Sequence, residues 1–592
     1  MSFHPAPEFT TRPTLRGTFG MAATTHWLAS QSAMAVLERG GNAFDAAVAA
    51  GFVLQIVEPH LNGPGGDLVG LIAPADGEPR VLAGLGAAPR RASAEHYREL
   101  GLDLVPGAGL LAATAPGAVD AWLLLLRDRG TWHPEGALEF ALHYAENGYP
   151  VLPAVTRTIE TVAGLFADDW STSAEQWLPG GAPLAAGSLH TRPEWAATLR
   201  RLLEAAQGDS REARIDAMRA EWRHGFVADA IGRFATGEWR DSSGERHAGV
   251  LTAEDVADYE ATWEEPVRLD FRGHTVLKAG AWTQGPALLQ ALAILDGVAE
   301  EALDPSTALG AHTQLETLAL VLADRDAWYG DDGSTPLDTL LSPDYAAARR
   351  TLIGVLAESG LRPGAPDDRA PVIPVPPAPP AQATAGSGEP TVGRDGVTRG
   401  DTCHMDVVDA AGNLVSVTPS GGWLQSSPHI PELGFCLGSR LQMTWLEEGH
   451  ASTLRPGQRP RTTLSPTLVL GADGGRVALG TPGGDQQDQW QLPFLLRLLV
   501  GGYEPQQAID APSFHSTSAN ESFWPRGRVP AGATVESRLG EEVIAELILR
   551  GHDVTVAGPW SLGRLSAVGR GADGTLWAAA NPRGMQGYAV GR

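Results

Sequence analysis

Thr402 and Cys403 stand side by side in "RGDTCHMDVVD" (residues 399–409), directly after a proline-rich tract and at the start of a strand-like alternation. A hydroxyl is a weak nucleophile unless a base lies beside it. A free α-amine on the same residue is such a base, with an ordinary pKa of about 8. Obtaining one inside a chain requires that the preceding bond be broken. The Thr402 hydroxyl would attack the Asp401 carbonyl, the acyl group would pass from nitrogen to oxygen, and water would release the ester. Cys403 is the rival nucleophile, since a thiolate is intrinsically the stronger one. A lone cysteine in a strand is also commonly a small buried apolar residue.

An amide-cleaving nucleophile needs donors for the developing oxyanion. In "TPGGDQQD" (residues 481–488), Gly483 and Gly484 offer backbone N–H groups with no side chain in the way, at the start of a helix whose dipole favours negative charge. The same residues fit an ordinary glycine-rich exit from a hairpin. The 16 histidines include no HExxH spacing, and "GDDGST" (residues 330–335) lacks the spaced acids and final Glu of a calcium loop. Neither a metal nor a cofactor is expected.

The elements that must position these groups follow from pattern. "HMDVVDAAGNLVSVT" reads as two strands around a turn, and "SPTLVLGADGGRVALG" as a second hairpin feeding the helix "DQWQLPFLLRLLVGG". In "GGNAFDAAVAAGFVLQIVEPHLNGPGGD" (residues 40–67), Asn42 and Asp45 have capping-box spacing before an apolar, buried helix, and "GPGG" makes a tight turn. Residues 114–260 are mainly helical by periodicity, and "VRLDFRGHTVLKAG" alternates like a strand pair. The tract "PVIPVPPAPPAQATAGSG", within residues 362–398, is too rich in proline for helix or central strand and reads as an extended or disordered linker. Strands in both parts with long helices mostly in the first indicate a layered α/β protein.

Composition sets the bounds. The chain has 592 residues, 43% of them apolar and 19% charged, enough for a sizeable core. Its formal charge of −26 has the wrong sign for nucleic acid or an anionic membrane. Two cysteines, Cys403 and Cys436, exclude a disulfide framework, though not one bridge between them. The first residues show no apolar signal region, and the apolar stretches are too short for a membrane span. A cytoplasmic protein acting on a small molecule is expected.

Taken together, "DTCHMDVVDAAGNLVSVT", "RPRTTLSPTLVL" and "GTPGGD" make the chain resemble the γ-glutamyltransferases (glutathione hydrolases) of the N-terminal-nucleophile hydrolase superfamily, over nearly its whole length. The resemblance implies a four-layer αββα sandwich, self-cleavage between Asp401 and Thr402, and a heterodimer of a large subunit (1–401) and a small one (402–592). It places the nucleophile on Thr402 rather than Cys403, an assisting hydroxyl on Ser420, the oxyanion donors on Gly483 and Gly484, and the hydroxyl pair for a substrate carboxylate on Thr462 and Thr463. Three positions of the family's amino-acid clamp differ. Its arginine falls on Leu85, and its Asn, Gln/Glu and Asp fall on Gly422, Gln442 and Trp445. A more apolar acyl pocket follows, with Arg90 or Arg91 as candidate replacement cations. The stretch "WLEEGHASTLRPGQRP" is shorter than in lidded members, which favours hydrolysis over transfer. The acyl group could be γ-glutamyl, glutaryl as in related cephalosporin acylases, or a small oxo-acid as in oxamate hydrolases; a non-catalytic binding protein is the reading from another class.

Overall fold

Two seven-stranded antiparallel sheets lie face to face, with helices over the outer face of each, in a computed structural model that describes residues 3–377, 402–585 and 587–592. In chain order the strands are β1 (Leu15–Gly17), β2 (Gly20–Thr24), β3 (Asp67–Ala73), β4 (Arg80–Gly84), β5 (Thr262–Glu264), β6 (Val267–Phe271) and β7 (His274–Lys278). They continue with β8 (Met405–Asp409), β9 (Leu414–Ser420), β10 (Thr467–Gly471), β11 (Arg476–Gly480), β12 (Ser566–Arg570), β13 (Leu576–Ala580) and β14 (Tyr588–Gly591). One sheet runs β14-β2-β8-β9-β3-β4-β5 and the other β1-β13-β12-β11-β10-β7-β6. Each sheet therefore takes strands from both sides of the tract before Thr402.

The four layers enclose three apolar cores. One lies between the β8-containing sheet and helices α1 (Trp27–Glu38), α2 (Ala43–Val57) and α3 (Ala118–Arg129). A second lies between the sheets and contains Val69, Leu277, Val408, Leu468 and Val568. The third packs the β11-containing sheet against α4 (Pro286–Asp296), α5 (Ala308–Trp328) and α6 (Gln487–Leu499). Helix α2 starts where the capping-box spacing puts it: Asn42 Oδ1 accepts from Phe44 and Asp45 N–H, and Asp45 Oδ2 accepts from Asn42 N–H. All fifteen of its residues are buried, as its unbroken apolar character requires. Both hairpins form in the expected places, β8–β9 and β10–β11.

Two expectations change. The bridge left open between Cys403 and Cys436 does not form: neither sulfur is in a disulfide. The supposed linker is packed over its first part. Pro366 and Pro374 are buried, Gly364 O accepts from Trp328 Nε1, and Pro374 O accepts from Asn520 Nδ2. Proline loses its donor but keeps its carbonyl, so such a segment can still be tied down through acceptors. Residues 378–401, with Asp401 and the rest of the proposed linker, lie outside the described residues.

Candidate active site

Thr402 and Cys403 run into β8, and their side chains carry on its alternation, in which successive residues face opposite sides. Cys403, Met405 and Val407 belong to the core under α2, whereas Val408 belongs to the core between the sheets. Cys403 Sγ donates to Glu58 Oε2 at 3.1 Å and accepts from Asn62 Nδ2 at 3.1 Å, on the helix side. Thr402 faces the other way. Cys403 N–H donates to Pro419 O, which brings Thr402 Oγ1 to 3.1 Å from Ser420 Oγ, with both residues 1% exposed. Two hydroxyls that are eighteen residues apart in sequence thus share one hydrogen bond at one end of the hairpin.

The glycine pair reaches the same end from the opposite sheet. The His404 ring lies over Gly480, where an added Cβ would sit 2.3 Å from it, and is fixed by Thr418 Oγ1 and Asp406, each at 2.9 Å. Asp406 also accepts from Ser566 Oγ of the facing sheet at 3.0 Å. The start of β8 therefore stands against the end of β11. Going backwards from β8 to Thr402, and forwards from β11 to Gly483, the chain leaves the sandwich at one edge. Gly483 (φ 136°) and Gly484 (φ 54°) have conformations that side chains resist, and Gly484 opens a short 3₁₀ turn into α6.

The "GPGG" turn closes this edge. A Cβ on Gly66 would meet Ser420 O at 2.2 Å, and one on Gly63 would meet Gly422 O at 2.3 Å. Only glycine lets the turn lie against the strand end that carries Ser420. Gly422 itself has φ 65°, and a Cβ there would meet Gly66 N at 2.7 Å, so this backbone has no room for a clamp side chain at position 422.

The remaining expected residues divide. Thr462 is used in the backbone: its N–H donates to Trp282 O, its O accepts from Gln284 N, and its Oγ1 accepts from Leu464 N. Thr463 is buried, and its Oγ1 has no partner among the described residues. Gln442 Nε2 donates to Gly107 O and Ser439 Oγ, while its Oε1 accepts from Trp524 N, so its amide holds protein together. Leu85 belongs to the core between the sheets and borders a cleft of about 460 Å³ that also contains Arg90, Tyr259 and Arg459 but neither Thr402 nor Ser420. Arg90 is 65% exposed and paired with Asp258. Trp445 packs with Leu104 and Trp524. Its face carries the Arg526 guanidinium, 3.7 Å from the ring centre, so the position is less apolar than the sequence implied. The stretch after Trp445 folds back at once, with Leu454 N–H donating to Trp445 O and Ala88 N–H donating to Gln458 O.

One supporting pair escaped the sequence reading. Asp67, paired with Ser420 in the β3–β9 register, receives a two-pronged ion pair from Arg440 at 2.7 and 2.9 Å. Both side chains are buried, and burial holds the Asp67 carboxyl above its usual range despite Arg440. Arg440→Ala strands this carboxyl and is expected to cost about 3–5 kcal/mol of stability, read from denaturant unfolding. A loss below about 1 kcal/mol, that of an exposed pair, would show the pair does not brace the site. An acid directly after "GPGG" was the available signal; its partner, 373 residues on, carried none.

The paired sheets with outer helices define an αββα sandwich of the N-terminal-nucleophile hydrolase type. The gamma-glutamyltranspeptidase family model matches residues 29–591, and the chain belongs to that family of hydrolases and acylases. Among curated proteins it is similar to the glutathione hydrolase-like YwrD proenzyme of Bacillus subtilis (strain 168), at 30% identity over 97% of this chain and 99% of that one. Among solved structures it is similar to LmbA2991HD, at 54% identity and TM-score 0.93, covering 99% of this chain and 100% of the other. The cephalosporin acylase from Bacillus halodurans follows at 26% identity and TM-score 0.81, with 99% of each chain covered. No described helix is long and apolar enough to cross a membrane.

Proposed function

We propose that the chain is a self-processing amidohydrolase that cuts itself between Asp401 and Thr402 and then uses Thr402 as an N-terminal nucleophile. The observation that carries this is the buried Thr402–Ser420 contact of 3.1 Å; Gly483 and Gly484 follow β11, whose last residue, Gly480, lies under the His404 ring. The freed α-amine of Thr402 takes the hydroxyl proton as Oγ1 attacks the amide, and returns it to the leaving amine. Ser420 orients Oγ1, the Gly483 and Gly484 N–H groups hold the oxyanion, and water releases the acyl group. The large subunit is residues 1–401 and the small one 402–592. Proenzyme relatives and the exclusion of Cys403, bound on the helix side, support this reading.

The acyl group is not γ-glutamyl. An α-ammonium needs an anionic or accepting partner, but position 445 is a tryptophan under an arginine, and the Gln442 amide is already bonded. The clamp arginine is replaced by Leu85, which is in the core. An acyl chain with a carboxylate and no amine fits better, as in the acylase relatives. The test is a panel of γ-glutamyl, glutaryl and short-chain acyl 4-nitroanilides at equal concentration. Glutaryl is expected to exceed γ-glutamyl by about tenfold or more in kcat/KM, the worth of one uncompensated charged group; γ-glutamyl as the fastest substrate would overturn the pocket reading.

A further inference from the structure

Beyond Gly484 the structure buries more positive charge than its own acids neutralise. Arg325, Arg461 and Arg526 are all buried, and among the described residues Asp326 and Asp485 are the acids that act on them; Asp326 Oδ2 also has no hydrogen-bond partner there. Arg325 is satisfied: its nitrogens donate to Gln284 Oε1, Asp485, Asp326 and Asn520 O. Asp485 is satisfied too, by Arg325 and by Ser522 N–H and Oγ. Arg461 donates from Nη2 to Ser522 Oγ at 2.9 Å, but its Nη1 has no partner among the described residues. Arg526 donates from Nη2 to Gln442 O and Thr444 O, at 2.6 and 2.7 Å, while its Nε has no partner among the described residues. The Thr463 hydroxyl, two residues from Arg461 in sequence, also has no partner among the described residues. Buried donors are normally paired, and an uncompensated buried cation is costly, so this arrangement is built for an anion.

Its place in the fold is beside the nucleophile edge. Residues 520–526 run from the Gly484–Asp485 turn, through Ser522, to the 440–445 turn, through Trp524 and Arg526. The first turn follows the oxyanion glycines. The second follows Arg440, whose partner Asp67 lies opposite Ser420. Arg526 is also held at φ 65°, a conformation a long side chain rarely adopts without compensation from its surroundings. Burial lowers Arg461 to about 10 and Arg526 to about 9, and both still carry charge at neutral pH.

We infer that Arg461, backed by Arg526 and helped by the Thr463 hydroxyl, is the seat for a carboxylate on the acyl part of the substrate. This deepens the proposed function and rests on it. Arg90 and Arg91, the earlier candidates for this cation, are solvent-exposed, and Arg90 is taken by Asp258. The substrate class is an amide whose acyl chain ends in a carboxylate, gripped at both ends: by Thr402 at the carbonyl and by Arg461 at the acid.

The test compares glutaryl-4-nitroanilide with its methyl ester, on wild type, Arg461→Gln and Arg461→Lys. The readout is the ratio of the two kcat/KM values, so a loss of folded enzyme cancels. Wild type is expected to favour the free acid by about 10- to 100-fold, the range of a charge-assisted hydrogen bond. Arg461→Gln should cut that ratio about tenfold, chiefly through KM, with Arg461→Lys in between because it keeps a charge but not the fork. A wild type without preference, or an Arg461→Gln ratio within about threefold of wild type, overturns the assignment, since a charged bond is worth more. Calorimetric titration with glutarate separates this from the catalytic reading. If no anilide is cleaved, the proposed function fails, and equal glutarate affinity in wild type and Arg461→Gln would still sink Arg461 independently.

Discussion

Thr402→Ala is expected to leave a single 62.2 kDa chain and to lower amidase activity by about 10⁴-fold or more, the scale seen when a nucleophile is removed. The size follows from the lack of a substitute. Ser420 Oγ is 3.1 Å away but sits at the end of β9 and can never carry a free α-amine. Cys403 is adjacent in sequence but faces Glu58 and Asn62 across the strand, in the core under α2. Cys403→Ala is the matching control, and it should keep both self-cleavage and turnover. Measurement is by denaturing gel and anilide hydrolysis on the same preparations. Residual cleavage in Thr402→Ala, or its loss in Cys403→Ala, would transfer the nucleophile to the thiol.

Gly483→Ala has the second-largest expected effect. Gly483 has φ 136°, and a Cβ there would lie 2.5 Å from the Trp490 ring of α6. Trp490 is fully buried, so the loop has to move instead of the indole. Strain of this kind costs about 1–3 kcal/mol of stability. The displaced N–H should cost about 10²–10³ in kcat, as loss of one oxyanion donor does elsewhere, with KM little changed because the donor acts mainly on the transition state. A kcat within about threefold of wild type, in a folded and cleaved protein, would mean that the glycine pair is only a hairpin exit.

What the sequence disclosed was local and periodic. The β8–β9 and β10–β11 hairpins, the capped helix α2 and the glycine turn before α6 each depend on neighbours within a few residues, so their patterns sit intact in one stretch. Thr402 drew attention through its own neighbours, whereas Ser420, at the other end of the hairpin, was named by the family resemblance alone. The support around them was not. Asp67 meets Arg440, Arg325 meets Asp485, and Arg526 meets Gln442, pairings between distant segments that only the folded sandwich brings together. Aligning Leu85 and Gln442 with a clamp said which residue types stood there, but not that Leu85, just past β4, lies in the core or that Gly107, Ser439 and Trp524 occupy the Gln442 amide. Arg461 was in plain view within "RPRTT", yet a single arginine before two threonines has no pattern; its open Nη1 is a property of packing.

The proposed mechanism turns on one bond, and intact-mass analysis of the purified wild-type protein reads it most directly. It predicts two chains of roughly 42 and 20 kDa, the 62.2 kDa precursor divided after residue 401 of 592, with the smaller one beginning at Thr402. An uncut 62.2 kDa chain, or a small fragment that begins at any residue other than Thr402, would contradict it.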